Sequence, residues 1–472
     1  MKPMKIAGTL ALGAAALAAM PALAQGTAAP VVPTAAMVNK GDVAWMLVST
    51  AFVLLMSVPG LALFYGGLVR AKNMLSVLMQ VLTIVCVASL VWVSWGYSMA
   101  FTNGGALNSF VGGFSKVGLA GVDASTFAAT FSNGVYLPEL VFVIFQMTFA
   151  CITPALIVGA FAERVKFTPL IVFTVIWLTI VYFPMAHMVW YWPGPDFQAG
   201  AQGDHGLLWG WGALDFAGGT VVHINAGIAG LMGCLVIGKR RGYKAEPMPP
   251  HSLVMTMIGA SLLWIGWFGF NAGSNLEANA VTAVAFINTF TATAAAGMTW
   301  AVIEQIVHKK PSLLGGASGV VAGLVAITPA AGFAHPMTSI VLGIVASIVC
   351  FFFVTTVKNK LGYDDSLDVF GVHCVGGIVG AIGTAIVAAP ALGGQGVFDY
   401  NVLPAAFDPA TYSIPAQLWI QVKAVAFTLI WSGAISYVLF LAIDKTMGLR
   451  PTAEVEAEGL DIAEHGERAY NM

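Results

Sequence analysis

Charged residues are scarce in this sequence. Asp, Glu, Lys and Arg together make up 9% of its 472 residues, against about 25% in soluble globular proteins. Apolar residues make up 58%, and the mean hydropathy is +0.85. A formal net charge of −2 leaves no excess of basic residues for binding nucleic acid. The composition therefore excludes a soluble protein and a nucleic-acid partner, and it indicates an all-α polytopic membrane protein.

Cysteines are few as well, and no two of them form a CxxC pair. All five lie inside apolar runs, at Cys86, Cys151, Cys234, Cys350 and Cys374. This pattern gives no disulfide framework and is typical of small core residues. The sequence also lacks an HExxH motif, a P-loop and a dinucleotide-binding fingerprint in a strand–helix context. We therefore expect no enzyme, no cofactor and no resident metal.

The N-terminus has the pattern of a secretory signal peptide. Lys2 and Lys5 precede an apolar stretch at residues 6–20, and an A-x-A cleavage pattern follows. We predict a signal peptide over residues 1–24 and a periplasmic segment over 25–43, in a bacterium. The alternative is an uncleaved first helix.

Long apolar runs follow along the chain. A membrane span needs about 20 mainly apolar residues. Such runs lie near 44–69, 74–101, 137–162, 167–191, 214–238, 251–273, 280–307, 313–331, 336–356, 367–390 and 416–443. The sequence thus predicts eleven transmembrane helices within residues 44–445, followed by a cytoplasmic tail over 446–472.

Basic residues alternate between the loops. Every second loop and the tail hold most of them: Arg70, Lys72, Arg164, Lys166, Lys239, Arg240, Arg241, Lys244, Lys309, Lys310, Lys358, Lys360, Lys445, Arg450 and Arg468. The opposite segments hold Lys40 and Lys116. Cytoplasmic loops are rich in Lys and Arg, so the pattern predicts an N-out, C-in orientation in the bacterial inner membrane.

Two of the predicted spans share a sequence pattern. Residues from Asp215 through Gly230 and from Asp365 through Gly380 both read D-x7-H-x3-G-I-x-G, with the histidines at His223 and His373. The copies lie five spans apart and therefore cross the membrane in opposite directions. This predicts a five-plus-five inverted repeat with an eleventh, terminal helix.

The repeat also predicts the depth of the histidines. Eight residues of helix rise about 12 Å, so His223 and His373 approach the middle of a core about 30 Å thick from opposite sides. A histidine satisfied by a neighbour is the alternative, and two imidazoles alone make an incomplete zinc site. Ionisable groups inside a bilayer usually mark a solute path, which favours a pore lining. For Asp215, helix capping and cation recruitment remain equal alternatives. For Asp365 or Asp368, capping is favoured.

Five longer strings are distinctive: Phe161-Ala-Glu-Arg164, Ala186-His-Met-Val-Trp190, Gly212-Ala-Leu-Asp-Phe-Ala-Gly-Gly-Thr-Val-Val-His-Ile-Asn225, Gly266-Trp-Phe-Gly-Phe-Asn-Ala-Gly-Ser274 and Asp368-Val-Phe-Gly-Val-His373. With these strings the sequence resembles the ammonium transporter family (Amt/Mep, with the Rh proteins as distant relatives). The resemblance runs from about residue 40 to the tail. It implies an eleven-span protomer, a homotrimer and one pore in each protomer.

The resemblance also implies where ammonium is recruited. Trp190, Ser274 and Phe149 correspond to the family's outer recognition site, and Asp215 corresponds to its essential aspartate near the entry. Aromatic faces attract a cation by about 0.5–2 kcal/mol, and a serine oxygen can accept a hydrogen bond from an N–H group. These residue types therefore suit a compact ammonium-sized cation.

The same resemblance implies a gate and a pore. Phe149 and Phe270 match the family's stacked phenylalanines, and His223 with His373 match its twin-histidine pore. A narrow apolar channel imposes a large desolvation penalty on a cation but not on neutral ammonia. We expect ammonium to lose a proton near the phenylalanines and ammonia to pass along the histidines.

The tail is acidic and gives a further expectation. Its carboxylates are Glu454, Glu456, Glu458, Asp461, Glu464 and Glu467. Such composition is typical of a solvated segment, but the resemblance implies contact with the cytoplasmic face and regulation by a PII-type protein. The rival functions are an ammonium sensor, Rh-type gas conduction, and an ion-coupled symporter for another solute.

Overall fold

The computed structural model describes residues 32–198, 203–400 and 409–470. The helices considered below all belong to one compact unit, Pro33–Met472. The predicted signal peptide at 1–24 lies outside the described residues, as does the start of the predicted segment at 25–43.

Among the described residues, eleven helices are long and apolar enough to cross a membrane, which confirms the predicted number. They are α1 (Lys40–Leu68), α2 (Ala71–Phe101), α3 (Glu139–Phe161), α4 (Phe167–Trp190), α5 (Gly219–Ile237), α6 (Leu253–Gly273), α7 (Ala280–His308), α8 (Leu313–Ala330), α9 (Pro336–Leu361), α10 (Phe370–Val387) and α11 (Ile414–Met447). Helices α3, α5 and α8 are the most deeply buried, whereas α9 and α11 have the smallest buried shares. The interior helices therefore carry Phe149 and His223.

A short β-hairpin precedes α3. Strands β1 (Phe127–Ala129) and β2 (Tyr136–Pro138) pair in antiparallel fashion, with Phe127 opposite Pro138. Strand β2 leads directly into Glu139, the first residue of α3. The hairpin thus fixes the point at which α3 begins.

The two repeat copies pack against each other reciprocally. A Cβ atom added to Gly227 would lie 2.4 Å from the main-chain nitrogen of Cys374, and one added to Gly377 would lie 2.9 Å from the side chain of Ile224. Each glycine lies four residues after its histidine, and Cys374 and Ile224 each follow theirs directly. Such exchange of equivalent contacts is what a two-fold relation between antiparallel copies produces. It agrees with the predicted inverted repeat.

The predicted cap at the start of α10 is formed by Asp365. Its two carboxylate oxygens accept hydrogen bonds from the main-chain nitrogens of Val369 at 3.0 Å and Phe370 at 2.7 Å. Asp368 instead pairs with Lys358. Of the two predicted candidates, Asp365 is therefore the cap.

Buried ion pairs connect the loops at the Arg240 end of the bundle. Glu163 pairs with Arg70 at 2.6 Å and lies 3.7 Å from Arg240. Arg240 also pairs with Asp364 at 2.8 Å. Burial opposes the charged form of Glu163, but its hydrogen bonds and charge interactions with both arginines outweigh this effect and lower its pKa.

The acidic tail is docked rather than solvated. It forms two short helices, α12 (Ala453–Glu458) and α13 (Leu460–His465). Asp461 accepts hydrogen bonds from the main-chain nitrogens of Leu75 at 3.1 Å and Ser76 at 2.8 Å, near the start of α2. The tail is therefore part of the folded unit at this end of the bundle.

Candidate functional site

Three residues named from the sequence meet at one cavity of about 210 Å³, here called the Trp190 cavity. Trp190, Phe149 and Ser274 all line it. The rings of Trp190 and Phe149 are perpendicular, with centroids 5.8 Å apart. The Ser274 hydroxyl donates a hydrogen bond to the carbonyl oxygen of Phe270 at 2.8 Å, which leaves its oxygen free to accept one from a bound N–H group.

Asp215 holds Trp190 in place at the wall of this cavity. Its main-chain carbonyl accepts a hydrogen bond from the indole nitrogen of Trp190 at 3.0 Å. Its carboxylate accepts hydrogen bonds from the main-chain nitrogens of Gly218, Gly219, Thr220 and Val221 and from the hydroxyl of Thr220. Among the described residues that line the Trp190 cavity, Asp215 does not occur. This geometry favours the capping alternative over direct cation recruitment.

Below the Trp190 cavity, two phenylalanines are stacked. The rings of Phe149 and Phe270 have centroids 4.3 Å apart and planes inclined by 20°. Both side chains are almost fully buried. Phe149 lines the Trp190 cavity, whereas Phe270 lines the next one. The stacked pair therefore forms the partition between two cavities.

The second cavity holds both histidines and is here called the histidine cavity. Its volume of about 10 Å³ is enough for about one water-sized molecule. The Nδ1 atoms of His223 and His373 lie 3.3 Å apart. Two neutral imidazoles at this distance share one proton, so one nitrogen donates and the other accepts. The predicted approach of the two histidines is what the structure shows.

His223 has an unusual environment. Its ring stacks on Trp267 at 5.3 Å and lies 5.9 Å from Phe270. Its Nε2 atom is buried and has no hydrogen-bond partner among the described residues. An unpaired buried polar atom costs about 1–3 kcal/mol, and such an atom beside a cavity is suited to binding a small polar solute.

The part of the chain that the structure describes adds no further metal-ligating side chains to the histidine pair. Within residues 32–198, 203–400 and 409–470, no group of three or more His, Cys, Asp or Glu side chains is placed to hold a metal ion. Two imidazoles alone fall short of the ligand sets of protein zinc sites.

A third cavity, of about 260 Å³, lies beyond the histidines and is here called the Asp368 cavity. Its lining includes Asp368, Arg240 and Ser366. His373 lines both this cavity and the histidine cavity. The three cavities therefore follow one another through the bundle, separated first by the phenylalanine pair and then by His373.

Some lining residues were not identified from the sequence. Trp267 lies one helical turn before Phe270 on α6, and this spacing is the signal that could have found it. Lys116 and Glu139 also line the Trp190 cavity. They lie 23 residues apart on different elements, and the sequence offers no pattern that links them.

A helical membrane bundle with cavities in series between two antiparallel repeats is a membrane transport protein in architecture. The family model described as Ammonium Transporter Family matches residues 44–470. The chain belongs to that family, whose members are transporters rather than enzymes.

Individual relatives extend over nearly the whole chain. The chain is 43% identical to the ammonium transporter of Bacillus subtilis, over 92% of this chain and 99% of the relative. It is 44% identical to that of Aquifex aeolicus, over 93% and 95%. Among solved structures, Saccharomyces cerevisiae Mep2 has a TM-score of 0.76 and 32% identity, covering 88% of this chain and 91% of Mep2. A sensor Amt protein has a TM-score of 0.77 and 27% identity, covering 90% and 98%.

Proposed function

We propose that this protein transports ammonium across the membrane and that ammonia is the species that crosses its core. The observation that carries the proposal is the series of three cavities. The first is lined by aromatic rings and a serine oxygen, and the second by two facing histidines. The family membership and the named relatives support ammonium as the solute.

Recruitment takes place in the Trp190 cavity. The faces of Trp190 and Phe149 attract the cation, and the Ser274 oxygen accepts one of its N–H groups. Asp215 acts indirectly in this proposal. Its main-chain oxygen orients the indole, while its carboxylate holds the start of the helix that carries His223.

Deprotonation follows at the phenylalanine pair, where ammonium gives its proton to water in the Trp190 cavity and becomes ammonia. The stacked rings of Phe149 and Phe270 leave little room for a hydrated ion, and a bare cation in the small cavity beyond would lose its hydration. Ammonia avoids most of that penalty. At His223 and His373, it can donate a hydrogen bond to one imidazole nitrogen and accept one from another.

Orientation, assembly and regulation complete the proposal. The distribution of basic residues supports an N-out, C-in protein of the bacterial inner membrane, with the Trp190 cavity open to the periplasm. The family resemblance supports a homotrimer. The tail docks against the start of α2 through Asp461. This docking supports an ordered cytoplasmic face, at which a PII-type protein could regulate transport.

A sensor is the second candidate, because one of the structural neighbours is a sensor Amt protein. In a sensor, ammonium would occupy the Trp190 cavity and alter the tail without crossing. Binding without flux is the property that separates the two functions.

The test uses purified full-length protein in proteoliposomes. Ammonium concentration jumps on a solid-supported membrane report charge movement, and a stopped-flow assay of internal pH reports entry of ammonia. We expect a saturable response to ammonium and none to potassium. Trp190→Leu should raise the half-saturating concentration, whereas Trp431→Leu, on α11 and away from the three cavities, should not. Binding of ammonium with neither current nor alkalinisation would show that the protein is a sensor and not a transporter.

A further inference from the structure

The Trp190 cavity contains a charged pair that the proposed mechanism does not use. Among the described residues that line this cavity, the charged side chains are Lys116 and Glu139. Glu139 is 3% exposed, and the Lys116 ammonium group contacts its carboxylate. The lining therefore has no net charge, although it holds a nearly buried anion.

Glu139 lies on the face of α3 that lines the cavity. Glu139, Phe142, Gln146 and Phe149 follow one another at helical spacing, and all four line the Trp190 cavity. Ten residues of helix rise about 15 Å, so the carboxylate lies that far along α3 from the stacked phenylalanines. The charged pair thus occupies the far end of the cavity.

Glu139 lies beside a tyrosine hydroxyl and the ammonium group of Lys116. The hydroxyl of Tyr97 donates a hydrogen bond to the carboxylate at 2.6 Å. The Lys116 nitrogen lies 5.9 Å from the centroid of the Tyr97 ring. A carboxylate and an aromatic face are two groups that bind ammonium ions, and the group bound between them here is the chain's own primary ammonium.

We propose that Glu139 and Tyr97 form a second cation site, which Lys116 keeps filled. The inference rests on the proposed function, in which free ammonium enters through this cavity. An unpaired carboxylate would concentrate potassium as readily as ammonium, because attraction at a distance depends on charge alone. With Lys116 in place, discrimination is left to Trp190 and Ser274. Lys116 is therefore a specificity-determining residue that does not touch the transported ion.

A purely structural role gives a different expectation. Lys116 lies in the segment between α2 and α3, and its main-chain nitrogen donates a hydrogen bond to Ser98 Oγ at 2.9 Å. If the ion pair only fastens this segment to α3, its removal should lower the melting temperature and create no new cation site.

The direct test uses rubidium as the probe, because its anomalous scattering locates a monovalent cation. Crystals of Lys116→Met and Lys116→Gln soaked in rubidium chloride should show an anomalous peak beside the Glu139 carboxylate. The wild-type protein and the double variant Lys116→Met/Glu139→Gln should show none there. Folded single variants without this peak would overturn the inference, as would failure of both to fold.

A second arm measures transport in proteoliposomes at low ionic strength. Lys116→Met should lower the half-saturating ammonium concentration by roughly two- to five-fold, as expected for one charge about 15 Å from the phenylalanine pair. It should also make excess potassium a competitor of ammonium. Glu139→Gln should raise that concentration, and the double variant should return close to wild type. Equal half-saturation in all four proteins would overturn the inference. A rubidium peak in a protein whose wild type carries no ammonium would support the site and refute the proposed function.

Discussion

The indole nitrogen of Trp190 donates a hydrogen bond to the main-chain carbonyl of Asp215, with 3.0 Å between the two atoms. The carboxylate of the same aspartate caps the first turn of α5, which carries His223. One residue thus links the first cavity to the second through its main chain and its side chain. The ring that lines the Trp190 cavity and the helix that carries His223 are positioned by one loop.

Replacing Asp215 tests this supporting role. Asp215→Ala leaves four buried main-chain N–H groups without their acceptor and should destabilise the protein by roughly 2–4 kcal/mol. Asp215→Asn keeps one oxygen and should lie between the alanine variant and wild type. Thermal unfolding of the purified protein measures both. If Asp215→Asn kept full stability but raised the half-saturating ammonium concentration, direct cation recruitment would be the better account.

The unpaired nitrogen of His223 predicts a separation of stability from transport. His223→Leu should lower ammonium flux at least about ten-fold, because it removes one of the two imidazoles in the histidine cavity. Melting temperature should change little, because the substitution removes the unpaired Nε2 atom of His223 and this offsets the loss of the partner of His373 Nδ1. His187 is the control, with ring nitrogens 2.9 Å and 2.6 Å from two carbonyl oxygens. His187→Leu should lower the melting temperature clearly. Similar losses of stability in both variants would contradict the prediction.

The two stacked phenylalanines should not be equivalent. Phe270 contacts His223 and Trp267 as well as Phe149, whereas Phe149 contacts Trp190 on the side of the first cavity. Phe270→Ala should therefore reduce flux more than Phe149→Ala, because it also releases the imidazole. Buried Phe→Ala changes cost about 3–5 kcal/mol, so flux is compared per folded protein. An equal reduction in both would show that the partition acts only as a steric barrier.

The docked tail predicts a local effect of Asp461. Asp461→Asn should weaken the hydrogen bonds to the start of α2 and raise amide hydrogen exchange in α12 and α13. Glu458→Gln, at an exposed position of the same tail, is the matched control. Exchange should remain unchanged in the transmembrane helices of both variants. Equal protection of the tail in wild type and Asp461→Asn would contradict the assigned contact.

Asp365 predicts a dependence of stability on pH. Burial, with the negative charge of Asp368 as a smaller cause, raises its pKa from an ordinary value of 3.8 to about 7. A carboxyl with a raised pKa in the folded state favours folding at low pH, and this contribution is lost as the pH rises through about 7. The melting temperature should therefore be higher at pH 6 than at pH 8.5. Asp365→Asn should flatten this profile, and an unchanged slope would assign the effect to another group.

The elements that repeat along the chain could be predicted from the sequence. The number of spans follows from the length of apolar runs, and the approach of His223 to His373 follows from helix rise and antiparallel copies. Helix ends were less accurate: α1 was predicted to begin at residue 44 but begins at Lys40. The side chain of Asn39 accepts a hydrogen bond from Gly41 at 2.7 Å, and this cap extends the helix into a polar segment.

Contacts between segments that lie far apart in the sequence could not be predicted. Lys116 and Glu139 meet because each contacts the end of α2, Lys116 through Ser98 and Glu139 through Tyr97. Neither residue stands in a recurring sequence pattern. The docking of the tail through Asp461 depends in the same way on atoms at the start of α2. Composition indicates that such residues are polar, but it does not indicate which partner each one finds.

The small volume of the histidine cavity has a consequence for solute molecules that move through it in opposite directions. A passage with room for about one water-sized molecule cannot hold an inbound and an outbound molecule side by side. Molecules must therefore pass in single file, and a molecule in the histidine cavity has to leave before the next one can enter. A high internal concentration of the solute should therefore slow the uptake of isotopically labelled solute even when no net gradient opposes it.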